Sequence, residues 1–300
     1  MQDKGASILA RLKNKAKASD TSYQQYLQLF FQEEFLRRLA KSPYVNNFIL
    51  KGGLFIYAIT NFQSRATVDI DFLFQSLPNK TKKIDKMIAE IVSIQTGNND
   101  VVILEAGKTE PIAIQMKYQG IRIQIIGRIK NVQMPFGIDI GIGDIVFPTP
   151  EKRIIQTQLK GFDALEILTY SLESTIAEKF EAMLQRFELT SRMKDFYDIF
   201  YLARNFDFDG QRLQESLSQT LNNRGSFLEQ NSLDRILHLV NDSTILVRWR
   251  HFQKTMRIDE LSLFDIMQTF DIFLRPICEA IISGSELSKN WKAALLKWIG

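Results

Sequence analysis

The period of the hydrophobic pattern changes near residue 165, and this change limits the folds open to the chain. Before that point, short apolar runs with period two are mixed with helical segments; after it, the pattern is helical throughout. Period two is typical of strands and period 3.6 of helices. The pattern predicts an α+β fold, with an α/β domain over 1–165 and a helical domain over 166–300. No Pro/Gly/Ser-rich linker separates the halves, so we expect them to pack together.

The spacing of apolar residues, the capping residues, and the glycines and prolines that end helices and strands predict the individual elements. Predicted strands cover 47–50, 68–74, 101–104, 112–117, 121–126 and 137–142, with a hairpin turn at 118–120. Predicted helices cover 5–17, a segment from the capping residues 19–22 to 41, 54–60, 82–94, 171–188, 192–205, 209–222, 231–240, 243–256, 261–283 and 286–298.

Composition excludes several classes of function. One cysteine and two histidines rule out an intramolecular disulfide and give little support to a zinc site or a Ser-His-Asp or Cys-His mechanism. No apolar run of about 18 residues and no secretory leader are evident, so we expect a cytoplasmic protein without membrane contact. The net charge of +4 is compatible with a nucleic-acid partner, although a solvated basic surface explains it equally well.

The run Val68-Asp69-Ile70-Asp71-Phe72-Leu73-Phe74 is the clearest strand in the chain. Asp69 and Asp71 then share one face, while Val68, Ile70 and Phe72 point into the core. Two adjacent carboxylates repel each other and are stabilised by a cation between them. Mg²⁺, or Mn²⁺ in its place, suits oxygen ligands and substrate phosphates. The alternative is an edge strand with two solvated acids, but aspartate is depleted in strands.

A glycine turn precedes this strand. Lys51-Gly52-Gly53 lies between a short strand and a helix, where glycine lets the backbone approach a ligand closely. Free N–H groups at a helix start favour an anion such as a triphosphate. A turn without further function is the simpler explanation for a Gly-Gly pair alone.

Three segments in order resemble a known family: Lys51-Gly52-Gly53 with Arg65-Ala66-Thr67-Val68-Asp69-Ile70-Asp71, then Glu173-Ser174-Thr175-Ile176-Ala177-Glu178-Lys179, then Arg192-Met193-Lys194-Asp195-Phe196-Tyr197-Asp198-Ile199. They resemble the DNA polymerase β-type nucleotidyltransferase superfamily and, more narrowly, the AbiEii family, the toxin half of type IV toxin–antitoxin and abortive-infection systems. The resemblance extends from about residue 25 to 205. The superfamily often has Gly-Ser where this chain has Gly52-Gly53. The gap between Gly53 and Asp69 in this chain is longer than the usual spacing in the superfamily.

The resemblance implies a nucleotidyltransferase-type mixed sheet with flanking helices, followed by a C-terminal helical bundle that contributes Lys179 and the 192–199 motif to the cleft. It implies these catalytic residues: Asp69, Asp71, Lys179 and Asp198, with Asp198 assisting the deprotonation or the positioning of the acceptor hydroxyl. The implied nucleotide-binding residues are Lys51, Gly52, Gly53, Arg65, Thr67, Lys179, Arg192, Lys194 and Asp195. The implied metal ligands are Asp69, Asp71 and Asp139, with Asp144 as the fallback for the third carboxylate.

Simpler explanations stand beside these roles. Lys179 is also explained as a solvated helix lysine, and Lys194 with Asp198 as a surface ion pair at spacing i, i+4. Asp195 is placed to orient Lys179 or Arg192. Arg192 is placed to clamp a phosphate or to form an exposed salt bridge. Asp139 alternates with apolar residues as Asp69 and Asp71 do, and a position in a surface turn is the alternative explanation for both Asp139 and Asp144.

The function implied is transfer of a nucleoside monophosphate from an NTP to an acceptor hydroxyl, with a tRNA 3′ end as the expected acceptor and a toxic outcome. A cognate antitoxin is implied, which in type IV systems need not bind the toxin. Alternatives are a non-catalytic nucleotide- or RNA-binding module and a protein-modifying transferase that attaches AMP to a hydroxyl side chain. A metal-dependent nuclease is weaker, because it does not require the glycine turn.

Overall fold

A computed structural model describes residues 3–19, 21–60, 64–65, 67–75, 81–112, 120–258 and 261–300 of the chain. Two compact units are formed: 1–143 with 151–169, and 144–150 with 170–300. The domain boundary predicted near residue 165 stays a prediction. Most of the strand predicted at 112–117 and the turn at 118–120 lie outside the described residues. Within the described ranges, no helix has the length and apolarity needed to cross a membrane.

The first unit combines helices with a mixed sheet. Its helices are α1 (Lys4–Lys17), α2 (Tyr23–Ala40), α3 (Gly52–Ile59) and α4 (Thr81–Ser93). Its strands are β1 (Phe48–Lys51), β2 (Ile70–Phe74), β3 (Ile103–Ile112), β4 (Gly120–Ile129), β5 (Val132–Ile142), β6 (Glu151–Ile155) and β7 (Leu165–Thr169). Ser22 and Gln25 form a capping box at the start of α2, in agreement with the predicted capping residues.

The strand order in the described sheet is β3-β4-β5-β2-β1-β7-β6. The pairs β2–β5 and β1–β7 are parallel and the others antiparallel. Long connections therefore bring β1, β2 and β5 side by side at the centre, although they are far apart in sequence. This central position places the polar residues of all three strands close together.

Alternation along β4 separates the two faces of the sheet. Ile121, Ile123 and Ile125 are buried, whereas Arg122 is exposed. The buried face approaches α2 so closely that a side chain at Gly127 would lie 2.3 Å from the ring of Phe31. We call the opposite face, which carries Arg122, the carboxylate face.

The second unit is mainly helical. Its helices are α5 (Leu172–Arg186), α6 (Met193–Asn205), α7 (Gly210–Arg224), α8 (Ser232–Leu237), α9 (Ser243–Met256) and α10 (Leu263–Ser283). Polar side chains cap four of these helices: Ser171, Asp209, Asp242 and Ser262. Three short strands form a second sheet in the order β10-β9-β8: β8 (Phe208–Asp209), β9 (Asn290–Lys292) and β10 (Lys297–Ile299).

Two predicted elements are wrong. The helix predicted over 286–298 is a β9–β10 hairpin, because Trp291 is fully buried and Trp298 stacks on Phe273 at a ring distance of 5.9 Å. The pattern after Glu166 predicts helices only, yet residues 165–169 form β7, which pairs with β1 and β6. The predicted fold class is nevertheless confirmed, because a mixed sheet with flanking helices is followed by a helical region.

Candidate active site

Four charged side chains form a row across the carboxylate face. Lys51 on β1 pairs in register with Asp71 on β2. Asp71 also pairs with Asp139 on β5, and Asp139 pairs with Arg122 on β4. Residues that are directly opposite on neighbouring strands point to the same face. The row therefore has a cation at each end and two carboxylates in the middle.

Asp71 lies directly against the glycine turn. Gly52 has a φ of +68°, in the left-handed region that glycine adopts without strain. A Cβ atom at residue 52 would lie 2.1 Å from Oδ2 of Asp71, far closer than any real contact. A side chain here would be strained and would clash with the carboxylate. Glycine is therefore required for the backbone to approach Asp71.

Gly53 brings two further predicted residues to the same turn. A Cβ atom at residue 53 would lie 2.9 Å from Oγ1 of Thr67 and 3.3 Å from Nη1 of Arg65. α3 begins at Gly52, and the side chain of its N-cap residue, Lys51, makes no capping hydrogen bond to the helix. The turn, Thr67, the buried Arg65 and the start of α3 are thus brought together. Such a helix start is suited to an anion.

Asp69 lies one residue before β2, not within a strand as predicted. The prediction that Val68 enters the core is also wrong: Val68 is 62% exposed, because strand pairing begins at Ile70. The Val68 carbonyl instead accepts hydrogen bonds from the α2 side chains of Gln28 and Gln32, the latter at 2.8 Å. These bonds fix the chain at the start of β2 and thereby position Asp69.

Arg122 connects the acidic residues. Its Nε and Nη2 atoms each donate to Asp139, with distances of 2.6 Å to Oδ1 and 2.6 Å to Oδ2, and Nη2 lies 3.3 Å from Oδ2 of Asp69. The hydrogen bonds to Asp139 raise the pKa of Arg122, with the charges of Asp139, Asp69 and Asp71 adding to the effect against a smaller opposing effect of burial. We call Asp69, Asp71, Asp139 and Arg122 the carboxylate cluster.

The donor set of this cluster suits a hard divalent cation. Mg²⁺ is commonly held by one or two carboxylates together with substrate phosphates. Within the described part of the chain, no three or more Asp, Glu, His or Cys side chains are grouped as metal ligands. Two neighbouring carboxylates, Asp69 and Asp71, supply the oxygen ligands that such an ion shares with substrate phosphates. The role of Asp139 as third ligand stays a prediction.

A cavity of about 640 Å³ adjoins the cluster on the carboxylate face. It is lined by Val68, Asp69, Gly107, Lys108, Glu110, Arg122, Gln124, Pro135, Phe136 and Gly137. A β-bulge in β3 sets Gly107 and Lys108 opposite a single residue of β4, Gln124. Lys108 and Arg122 line this cavity together with Asp69 and Glu110, so its wall carries both cations and carboxylates.

The second unit contains a separate ionic cluster, which we call the lysine cluster. Nζ of Lys179 on α5 lies 2.9 Å from Asp195 and 2.7 Å from Asp198, both on α6. The other oxygen of Asp195 accepts a hydrogen bond from Arg192. Lys179, Asp195 and Asp198 are all buried, so Lys179 is not a solvated helix lysine. Asp195 orients both Lys179 and Arg192.

Charge pairing decides the protonation of Asp195. Burial acts to raise the pKa of its carboxyl, but Lys179 and Arg192 outweigh burial and hold the pKa at about 2. Asp198 is buried and lies against Lys179, whereas Lys194 is exposed. The contact of Asp198 with Lys179 joins α6 to α5.

Asp144, the fallback for the third carboxylate, forms an ion pair of its own. Asp144 lies in the second unit, where Arg224 donates to both of its oxygens at 3.1 Å.

Arg122 is absent from the predicted site, although it alternates with Ile121 and Ile123 as the aspartates alternate with apolar residues in β2. A charged residue in an apolar strand was the available signal.

Comparison with known proteins identifies the class and then the family. A mixed sheet with flanking helices, followed by a helical region, is consistent with the nucleotidyltransferase class. The family model described as the nucleotidyl transferase AbiEii toxin of a type IV toxin–antitoxin system matches residues 34–275, and the chain belongs to this family. This confirms the resemblance drawn from the sequence motifs.

One solved structure has a similar fold. JHP933 from Helicobacter pylori superposes with a TM-score of 0.50 at 14% identity, covering 88% of this chain and 95% of that chain. A candidate nucleotidyltransferase from H. pylori gives a TM-score of 0.49 at 14% identity, over 89% and 100% of the two chains. At this identity the likeness concerns the fold alone. No curated protein matches the chain.

Proposed function

We propose that the chain transfers a nucleoside monophosphate from an NTP to an acceptor hydroxyl, with a tRNA 3′ end as the acceptor. The observation that carries this proposal is the contact between Asp71 and the Gly52 turn at the start of α3. A carboxylate and an anion-binding helix start are adjacent there. The carboxylate suits a divalent cation and the helix start suits phosphate oxygens, so the combination suits a metal-bound triphosphate.

The residues of the first unit have the following proposed roles. Asp69 and Asp71 hold Mg²⁺ or Mn²⁺, which when bound would neutralise charge on the reacting phosphates. The backbone N–H groups of Gly52 and Gly53 bind phosphate oxygens, with Lys51, Arg65 and Thr67 around the same turn. The acceptor hydroxyl releases its proton to solvent as its oxygen forms a bond to the α-phosphorus, the bond from the α-phosphorus to the oxygen that bridges to the β-phosphate breaks, and pyrophosphate leaves.

The lysine cluster has proposed roles that rest on the family motif. Lys179 neutralises the triphosphate or the departing pyrophosphate, with Arg192 and Lys194 as further phosphate ligands. A carboxylate paired with an ammonium group is a weak base. The contact with Lys179 at 2.7 Å therefore supports Asp198 as the residue that positions the lysine rather than as the proton acceptor. Asp195 has the same positioning role.

Family membership supports a toxic outcome in a type IV system with a cognate antitoxin, which need not bind this protein. The mildly basic composition is compatible with an RNA acceptor. The protein is proposed to act in the cytoplasm, where both NTPs and tRNA are available.

The test is incubation of the full chain with each of the four α-labelled NTPs, Mg²⁺ or Mn²⁺, total tRNA and a protein mixture. Label on RNA that is lost in Asp71→Ala supports the proposal. Label on protein identifies a protein-modifying transferase instead, and NTP binding without transfer identifies a binding module. Glu105→Gln is the matched control, because Glu105 is an exposed carboxylate of β3 that pairs with Arg128.

A further inference from the structure

We propose that Arg122 is a built-in counter-ion of the carboxylate cluster, which a divalent cation must displace from Asp69 before the site is loaded. This inference rests on the proposed function, because it takes Asp69 and Asp71 as the metal ligands. The observation is that one guanidinium bridges two carboxylates, with Nη2 2.6 Å from Asp139 and 3.3 Å from Asp69.

The two contacts differ in strength. Arg122 binds Asp139 with two parallel hydrogen bonds of 2.6 Å, whereas Asp69 receives one long contact. Bidentate pairs between arginine and a carboxylate are among the strongest charge-assisted hydrogen bonds. Asp139 therefore holds Arg122, and Asp69 is the carboxylate that Arg122 releases. Asp139 becomes a positioning residue that acts through the arginine.

The surroundings leave the guanidinium room to move. The Arg122 side chain is 47% exposed and lines the cavity of about 640 Å³ beside the cluster. On its far side, Arg122 pairs in register with Glu110 of β3, which is exposed and lines the same cavity. When the contact with Asp69 breaks, a second carboxylate lies across the strand from Arg122.

Electrostatics gives the sign of the effect. Without a cation, Asp69, Asp71 and Asp139 repel one another, and Arg122 neutralises part of this charge. A divalent ion at Asp69 and Asp71 competes with the guanidinium for Asp69 and is repelled by it. Removing the positive charge at residue 122 therefore strengthens metal binding, whereas a purely structural arginine would weaken it when removed.

The experiment measures Mn²⁺ affinity of the full chain by EPR of the free ion, without NTP or acceptor. Arg122→Gln is expected to bind Mn²⁺ about tenfold more tightly than the wild type, from the loss of one nearby positive charge. Arg128→Gln is the matched control, since Arg128 lies on the same strand and pairs with Glu105. Its affinity is expected to equal that of the wild type.

Additional variants separate the possible failures. Arg122→Met is a second neutral variant in case Arg122→Gln does not fold, and Arg122→Lys, which keeps the charge, is expected to remain within about twofold of the wild type. Neutral variants that bind Mn²⁺ no more tightly than the wild type would overturn the counter-ion role. If Asp71→Asn binds Mn²⁺ as well as the wild type does, the metal assignment of the proposed function fails, and this inference fails with it.

Discussion

The two ionic clusters of the protein differ in their exposure to water. In the carboxylate cluster, the side chains of Asp69 and Arg122 are 37% and 47% exposed. In the lysine cluster, Lys179 is 9% exposed and Asp195 fully buried. An exposed ion pair contributes little to stability and exchanges partners readily, whereas breaking a buried pair leaves an uncompensated charge. The first cluster is therefore suited to exchanging partners when a ligand binds, and the second to holding Lys179 in a fixed position.

The largest expected effect tests the buried side of this comparison. Asp195→Asn removes the negative charge that pairs with Lys179 and Arg192, so we expect the free energy of unfolding to fall by about 3–5 kcal/mol. Urea unfolding followed by circular dichroism measures the change. The control is Asp271→Asn, which removes a half-exposed carboxylate paired with Arg275, and it should cost at most about 1 kcal/mol. Equal losses would contradict the comparison.

A second prediction contrasts two neighbouring buried carboxylates on α2. Glu34 pairs with Arg37 and Arg38, at 2.5 and 3.1 Å. Glu33 accepts a hydrogen bond from the Gln158 backbone, but its Oε2 atom has no hydrogen-bond partner among the described residues. Burial raises the pKa of Glu33 to about 7, despite the opposing effects of that hydrogen bond and of nearby cations.

Because the pKa of Glu33 is higher in the folded state, this carboxyl stabilises the protein fully below its unfolded pKa of 4.5. Its contribution to the free energy of unfolding is lost as the pH rises through about 7. We therefore expect Glu33→Gln to stabilise the protein by about 2–3 kcal/mol at about pH 8 and to have little effect at about pH 4. Glu34→Gln should destabilise the protein at both pH values. Unfolding midpoints at the two pH values test this, and a destabilising Glu33→Gln at the higher pH would contradict it.

A third prediction concerns the loss of stability at low pH that protonation of Asp195 causes. The pKa of Asp195 is lowered from 3.8 to about 2 by its cations, so its contribution is present above the unfolded pKa and is lost as the pH falls through about 2. We expect this carboxyl to account for about 2 kcal/mol of the stability lost between about pH 4 and pH 2. The loss should be absent in Asp195→Asn when stability is followed across that range. An unchanged acid transition in the variant would show that the charges of Lys179 and Arg192 do not act on this residue.

Local sequence predicted the residues of the first cluster better than their contacts. Asp71 and the turn at Gly52 were predicted from alternation and glycine chemistry, and their contact follows from the β1–β2 hydrogen bonding. The partner of Asp139 was not predictable, because Arg122 meets it through a strand register that no local pattern specifies. The prediction that Val68 is buried was wrong for a local reason. The alternating sequence pattern begins at Val68, but strand pairing begins only at Ile70.

The error at the end of the chain has a different physical cause. Trp291, Ala294, Leu295 and Trp298 recur at the spacing of a helix face, and this spacing produced the helix predicted over 286–298. The structure instead packs both tryptophans on Phe273, and Trp291 donates a hydrogen bond to the Ala203 carbonyl at 2.6 Å. Tertiary packing overrides a weak local preference in a short segment.

The most direct test of the account is the single-turnover rate of NMP transfer by Asp71→Asn, measured with its free energy of unfolding. We expect the rate to fall at least about a hundredfold, because charge stabilisation at the reacting phosphates is lost, while stability stays within about 1 kcal/mol of the wild type. Glu105→Gln should retain both. Transfer by a folded Asp71→Asn at the wild-type rate would contradict the assignment of the chemistry to the carboxylate cluster.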